Sequence, residues 1–226
     1  MYSDFRKWLW LTAAAAFIGG LAVWLTLPER PSAPASLGLQ GAQGQMQAAR
    51  LYPAPRPLSQ FHLTEGPNAP LNREALKGHW HWVFFGFTHC PDICPMTLHE
   101  LGLVERDIGD SLPERLLPRT VFVSVDPERD DDELMASYAG HFGDRVIAVT
   151  GSDEQLMRLG RQLGAIYMTV EGEEHPDGYT VDHTASVFLI NPQAELVANF
   201  PYPHRAETLR ADYLTILELL GEDVNP

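Results

Sequence analysis

A chain of 226 residues, 45% hydrophobic and 20% charged, is an ordinary globular mixture with enough apolar material for one core. Its formal net charge of −14 at pH 7 argues against nucleic acid or an anionic lipid surface as partner. Two cysteines are present, Cys90 and Cys94, so no multi-bridge disulfide framework holds the fold together.

The first element is an apolar run, "WLWLTAAAAFIGGLAVWLTL" from Trp8 to Leu27, without a charge. At about 1.5 Å of rise per residue, twenty helical residues span about 30 Å, the thickness of a bilayer's hydrocarbon core. Arg6 and Lys7 precede it, and Trp8, Trp10 and Trp24 fall near its ends. The charges and the interfacial tryptophans orient it with residues 1–7 cytoplasmic and the rest exported. A cleaved signal peptide is the rival reading, but its apolar region usually runs only about 7–15 residues, and Pro34 sits awkwardly in "SAPAS" as a cleavage site. No cysteine follows the run, which excludes a lipoprotein, and Asp4 in the short lead disfavours a mitochondrial transit peptide. Residues 28–57, rich in Pro, Gly, Ala and Gln and without apolar period, read as a tether. If coil-like, about thirty residues at ~5–6 Å × √n reach roughly 30 Å. Residues 58–226 form one domain.

Within it, "HWVFFGF" (81–87), "TVFVSVD" (120–126), "RVIAVTG" (145–151) and "ASVFLINP" (185–192) read as buried strands. "LVANF" (196–200) makes a hairpin with the last of these across "NPQAE". Helical patterns lie between and after them: "PMTLHELGLVERDIG", "DELMASYAGHF", "DEQLMRLGRQLG" and "AETLRADYLTILELL". The acidic run from Asp130 to Glu133 reads as a helix start and nothing more. This order predicts an α/β, thioredoxin-like fold: a central, mostly parallel sheet flanked by helices on both faces.

In such sheets ligands bind where a strand's carboxyl end meets the next helix. "FFGFTHC" puts Cys90 there, and Pro91 suits a first helical turn. If the helix has begun by Cys90, Cys94 lies one turn along, with β-carbons about 5–6 Å apart. That is wide for a disulfide, which prefers about 3.8 Å, and comfortable for two sulfurs on one metal. Helix-terminal amides also favour the thiolate form. Of nine histidines, His79 and His81 are expected to face solvent and His89 to point away from its neighbour Cys90. His99 lies on the following helix, and His62, His141, His175 and His204 have no partner in view. His183, in "YTVDHTASVFLI", enters a central strand beside the cysteine-bearing helix start. Asp182 could orient its ring. Asp126 ends a strand at the same edge and serves either the site or the turn through Pro127.

"GFTHCPDICP", "VSVDPERD" and "YTVDHT", in that order, resemble the Sco/SenC copper chaperones associated with cytochrome c oxidase assembly. The likeness runs from about Leu58 to the C-terminus, and the anchor is typical of the family. It implies a thioredoxin-type fold with an N-terminal hairpin extension, although "LSQFHLTEGPNAPLNREALKG" lacks a tidy glycine turn for that hairpin. It implies one copper ion per domain, Cu(I) or Cu(II), on Cys90, Cys94 and His183. It further implies a single-pass protein of the bacterial inner membrane with its domain in the periplasm. The partner implied is cytochrome c oxidase subunit II, among other copper-handling proteins, at its binuclear copper centre. Two soft thiolates and an imidazole suit copper. A thiol–disulfide oxidoreductase acting on a copper-site apoprotein is the alternative. Ordinary thioredoxins have two residues between their cysteines, not three, and a proline where "VDHTAS" has none. A peroxiredoxin-like site would place its threonine three residues before the cysteine, whereas Thr88 stands two before Cys90.

Overall fold

The middle strand of the sheet, β4 (His81–Gly86), is buried at every position. Its side chains alternate between two cores: Trp82 and Phe84 face one, Val83 and Phe85 the other. The computed structural model describes residue 39 and residues 41–65, 69–172 and 178–224. The expected cytoplasmic segment 1–7 and anchor 8–27 lie outside the described residues, as does most of the tether before residue 41. Among the described residues no helix is long and apolar enough to cross a membrane.

The six-stranded sheet runs β1 (Arg50–Pro57), β10 (Glu195–Phe200), β9 (Val187–Ile190), β4, β5 (Arg119–Ser124), β6 (Val146–Val149). It is mixed rather than mostly parallel. Only β4–β5 and β5–β6 pair parallel, because only they are joined through crossover helices, α1 (Ile93–Gly109) and α2 (Asp132–Gly140). The hairpin β9–β10, the contact of β9 with β4, and β1 against β10 are antiparallel.

β1 corrects the expected domain boundary. Residues 50–57 are the sheet's edge strand, and Leu39, Ala42 and Ala49 ahead of them are buried. Its three prolines, Pro53, Pro55 and Pro57, suit an edge strand, where a missing N–H costs no ladder bond. The buried carboxylate of Asp212, on α4 (Ala206–Leu219), accepts the amides of Gln47, Ala48 and Ala49 at 2.7–2.8 Å and clamps this segment to the domain. Composition alone read it as tether because its anchorage is a contact 163 residues away in sequence.

Helices α1, α2 and α4 cover one face through Leu98, Leu101, Met135, Tyr213 and Ile216. The other face carries α3 (Asp153–Leu163), through Leu156, Leu159 and Leu163, and the hairpin β2 (His62–Glu65) with β3 (Ala69–Asn72). The early hairpin is therefore present despite its unpromising turn. A second hairpin, β7 (Tyr167–Glu171) with β8 (Tyr179–His183), forms its own two-stranded sheet and contributes Val181 to that core. His183 thus ends a strand instead of lying in a plain loop.

Candidate metal centre

The centre lies where β4 ends and α1 begins. The turn "FTHCPD" separates them, and α1 starts only at Ile93, so Cys90 and Pro91 precede the helix rather than opening it. The Cys90 amide binds Phe87 O at 3.2 Å, and the Cys94 amide reaches Cys90 Sγ at 3.5 Å. The first sulfur therefore sits over the helix N-terminus, where unpaired amides favour an anion. Cys94, on the first turn, is wholly buried, and its Sγ lies 3.4 Å from His183 Nε2.

Cys90, Cys94 and His183 present ligand atoms that all lie within 4.8 Å of one another, a group able to hold a metal ion. Both cysteines are free thiols. Three bonds of about 2.0–2.3 Å in a plane need donors roughly 3.5–4 Å apart, so the set needs little movement to close on an ion. The hydrogen bond from Cys94 and, less strongly, that with His183 bring the Cys90 thiol down to about 4, against the opposing effect of burial. Cys94 is pushed far up by its bond to Cys90 and by burial. Of the two thiols Cys90 loses its proton first, and Cys94 keeps its own until a cation replaces it.

His183 is held as a plate between aromatic neighbours. Phe84 and Phe87 meet its ring at centroid distances of 5.9 and 6.0 Å, both edge-on. Its Nδ1 faces Thr184 O at 3.4 Å, which favours a proton there and leaves Nε2 as the donor atom. Asp182 does not orient the ring. Strand alternation turns it to the other side of β8, where it is exposed.

Asp126 is buried, and its carboxylate accepts from Tyr179 Oη at 2.8 Å and Arg129 Nε at 2.5 Å. The Arg129 guanidinium lies 3.8 Å from the Tyr179 ring centroid and 5.7 Å from that of Phe87. Asp126 thereby ties β8, the strand that carries His183, to the end of β5, and acts through position rather than as a ligand.

Asp130 is more than a helix start. Asp131 caps α2 by accepting the Leu134 amide. Asp130 is buried and accepts from Thr88 N at 2.9 Å, Thr88 Oγ1 at 2.5 Å and Ser124 Oγ at 2.6 Å. It pins the turn that carries Cys90. Its place at the end of "VSVDPERD" was the available signal. Gly86 is a second residue that sequence reasoning missed: a Cβ there would lie 2.7 Å from Cys94 Sγ and 2.7 Å from Phe122 Cε2.

Among the other histidines, His81 is 2% exposed rather than solvent-facing, because β4 is central and both its faces are covered. His89 is exposed and 3.0 Å from Thr88 Oγ1, turned from the sulfurs as expected. His204 is buried between Thr97 Oγ1 and Phe200 O.

A family model described as SCO1/SenC matches residues 36–218. This chain belongs to the SCO1/SenC family. It is 33% identical over 168 residues to a protein of Stutzerimonas stutzeri that bears the name "Putative copper-binding protein", covering 74% of this chain and 80% of that one. It is 39% identical over 132 residues to the mitochondrial SCO2 homolog of Mus musculus, covering 58% of this chain and 51% of that protein. It thus spans about half the length of the mouse relative. Among solved structures, copper-bound ScoI of Arabidopsis thaliana matches with a TM-score of 0.64 at 30% identity, covering 71% of this chain and 97% of that one. Apo Sco1 of Thermus thermophilus matches at 0.64 and 32%, covering 75% and 96%. The thioredoxin-like α/β architecture is the Sco fold.

Proposed function

We propose that this Sco-family chain carries one copper ion on Cys90, Cys94 and His183 and delivers it to the binuclear copper centre of cytochrome c oxidase subunit II. The observation that carries the reading is the convergence of two sulfurs and one imidazole within 4.8 Å, from segments 89 residues apart. Soft thiolates and an imidazole with three donors suit Cu(I), and an added fourth ligand suits Cu(II). The apolar segment 8–27 supports a single-pass anchor in a bacterial inner membrane, with the domain on the periplasmic side beside the oxidase.

Copper is the cargo, so the site has to release it as well as bind it. Cys90, half-buried and already ionised, receives the ion. Cys94 then gives up its proton as the second sulfur binds, and His183 completes the set from the hairpin held by Asp126. Release reverses this when donors of the recipient replace these ligands one at a time.

The test is an anaerobic titration of the full chain with both thiols reduced. Cu(I) is followed by competition with a chelator, and Cu(II) by absorption and paramagnetic resonance. One tight equivalent with sulfur-to-copper charge transfer, lost in His183→Ala, is expected; wild-type affinity and spectrum in that variant would refute the three-donor assignment. A second reading rests on the ionised Cys90 beside Cys94. The thiolate attacks a disulfide of the apo-recipient, and Cys94 resolves the mixed disulfide. Two electrons pass to the recipient's cysteines and a Cys90–Cys94 disulfide is left. Rapid thiol exchange without copper binding would favour it.

A further inference from the structure

Among the described residues, six large hydrophobic side chains are exposed; Ile166 at 78% and Met168 at 63% line a depression with the ligand His183, and Met96 at 44% and Tyr202 at 45% share a separate hollow. Met96 follows Cys94 by two residues on α1, and it lines one small hollow with Tyr202 and the buried His204. His204 in turn meets Phe84, the ring that also supports His183. On the other side, Ile166, Tyr167, Met168, Asp182 and Thr184 form a mainly apolar depression of about 310 Å³ in which His183 itself is a wall. Asp182 is the one carboxylate of this lining, and it is exposed.

Isolated exposed apolar side chains need no explanation, but a concave patch continuous with a ligand residue does. Ile166 is fixed there by its amide to Thr184 Oγ1 at 3.0 Å and its carbonyl to the Thr184 amide at 2.9 Å, so the patch is an ordered surface. Cys94 is fully buried, whereas Cys90 and His183 are only partly buried, so an incoming donor meets these two ligands first.

We propose that the Ile166–Met168 depression is the docking seat for the protein that receives copper, and that its occupant is an apolar side chain flanked by a lysine or arginine. The proposal rests on the copper-delivery reading and names the surface through which it operates. The apolar side chain fills the depression against His183, and the cation pairs with Asp182, as an acidic chain of net charge −14 favours. Seating brings the recipient alongside His183, the ligand that the depression shares with the metal centre.

The experiment measures copper transfer from the full chain to the soluble domain of the cognate oxidase subunit II, under anaerobic conditions and at subsaturating recipient. Ile166→Asp and Met168→Asp are each compared with Ile166→Val and Met168→Leu, and Asp182→Lys with wild type at low and high salt. Chelator competition checks each variant's Cu(I) affinity, which is expected to match wild type. Transfer is expected to slow at least about tenfold in each aspartate variant and to be retained in the conservative ones. Asp182→Lys is expected to slow transfer most at low salt. Aspartate variants with unaltered affinity that transfer at the wild-type rate would overturn the docking seat and leave copper delivery standing. A copper-loaded wild-type chain that transfers nothing to subunit II would overturn the delivery reading, and the seat with it.

Discussion

Gly86→Ala adds one methyl group to the last residue of β4, where the Cβ would lie 2.7 Å from both Cys94 Sγ and Phe122 Cε2. Carbon contacts are comfortable only at about 3.5–4.0 Å, so both neighbours have to retreat by about 0.8 Å or more, or the end of β4 has to shift away from them. Phe122 cannot do so cheaply. Its ring is fully buried and wedged between Phe84 and Tyr138, at centroid distances of 6.4 and 5.3 Å. Cys94 is also fully buried, on a short side chain with one torsion to spend, so relieving the two contacts displaces its sulfur as well as the ring. Overpacking of this size costs about 1–3 kcal/mol, which lowers the melting temperature by roughly 2–12 °C for a domain of this size. Metal sites tolerate only about 0.2 Å of displacement, so Cu(I) affinity is expected to fall by more than the loss of stability explains, at least about tenfold. Thermal unfolding of the apo form gives the first quantity, and chelator competition on the fully folded variant the second. An unchanged melting temperature together with unchanged Cu(I) affinity would show that the sulfur and the ring are not confined as described.

The remaining expectations concern the groups that hold the site and one that lies far from it. Asp130→Asn offers an amide N–H2 where three donors now converge, and is expected to cost about 2–3 kcal/mol in urea unfolding and to weaken copper binding by freeing the Cys90 turn; a loss below about 0.5 kcal/mol would refute that role. Cys90 should react with iodoacetamide in the apo protein at a nearly constant rate from pH 8 to about pH 5 and slow as pH falls through about 4, whereas a rate that falls tenfold per unit below pH 8 would contradict an ionised sulfur. His81 is brought down to about 4 from its ordinary 6.5 by burial first and Arg119 second, so below pH 6.5 the unfolded chain binds a proton that the folded chain refuses. Its contribution is therefore fully present above about pH 6.5 and falls as pH drops toward 4, by roughly 3 kcal/mol at most. His81→Phe should flatten that part of the stability profile, and an unchanged slope in the variant would rule His81 out as its source.

Three kinds of information about this protein were local and therefore open to reading in the sequence. The apolar runs at 81–87, 120–126 and 185–192 are short and uninterrupted, as buried strands must be, and the helices between them carry their own periodicity. The pairing of Cys90 with Cys94 at a strand's end is a matter of spacing, and with "VDPERD" and "YTVDHT" it was enough to mark the family and single out His183. What the tertiary structure alone decided depends on contacts between segments distant in the chain. Asp212 turns a proline-rich stretch into an ordered edge strand from 163 residues away. The direction of strand pairing follows from which connections cross the sheet, and it made the sheet mixed. Asp182 lost its expected part, Asp126 took the first of its two expected ones by holding β8, and Asp130 and Gly86 gained theirs, because side-chain direction and free space are set by neighbours that no local pattern names. The same holds for His81, whose burial comes from the layers on both sides of a central strand. Donor identity is written along the chain, whereas the confinement that turns donors into a site is a property of the packed interior.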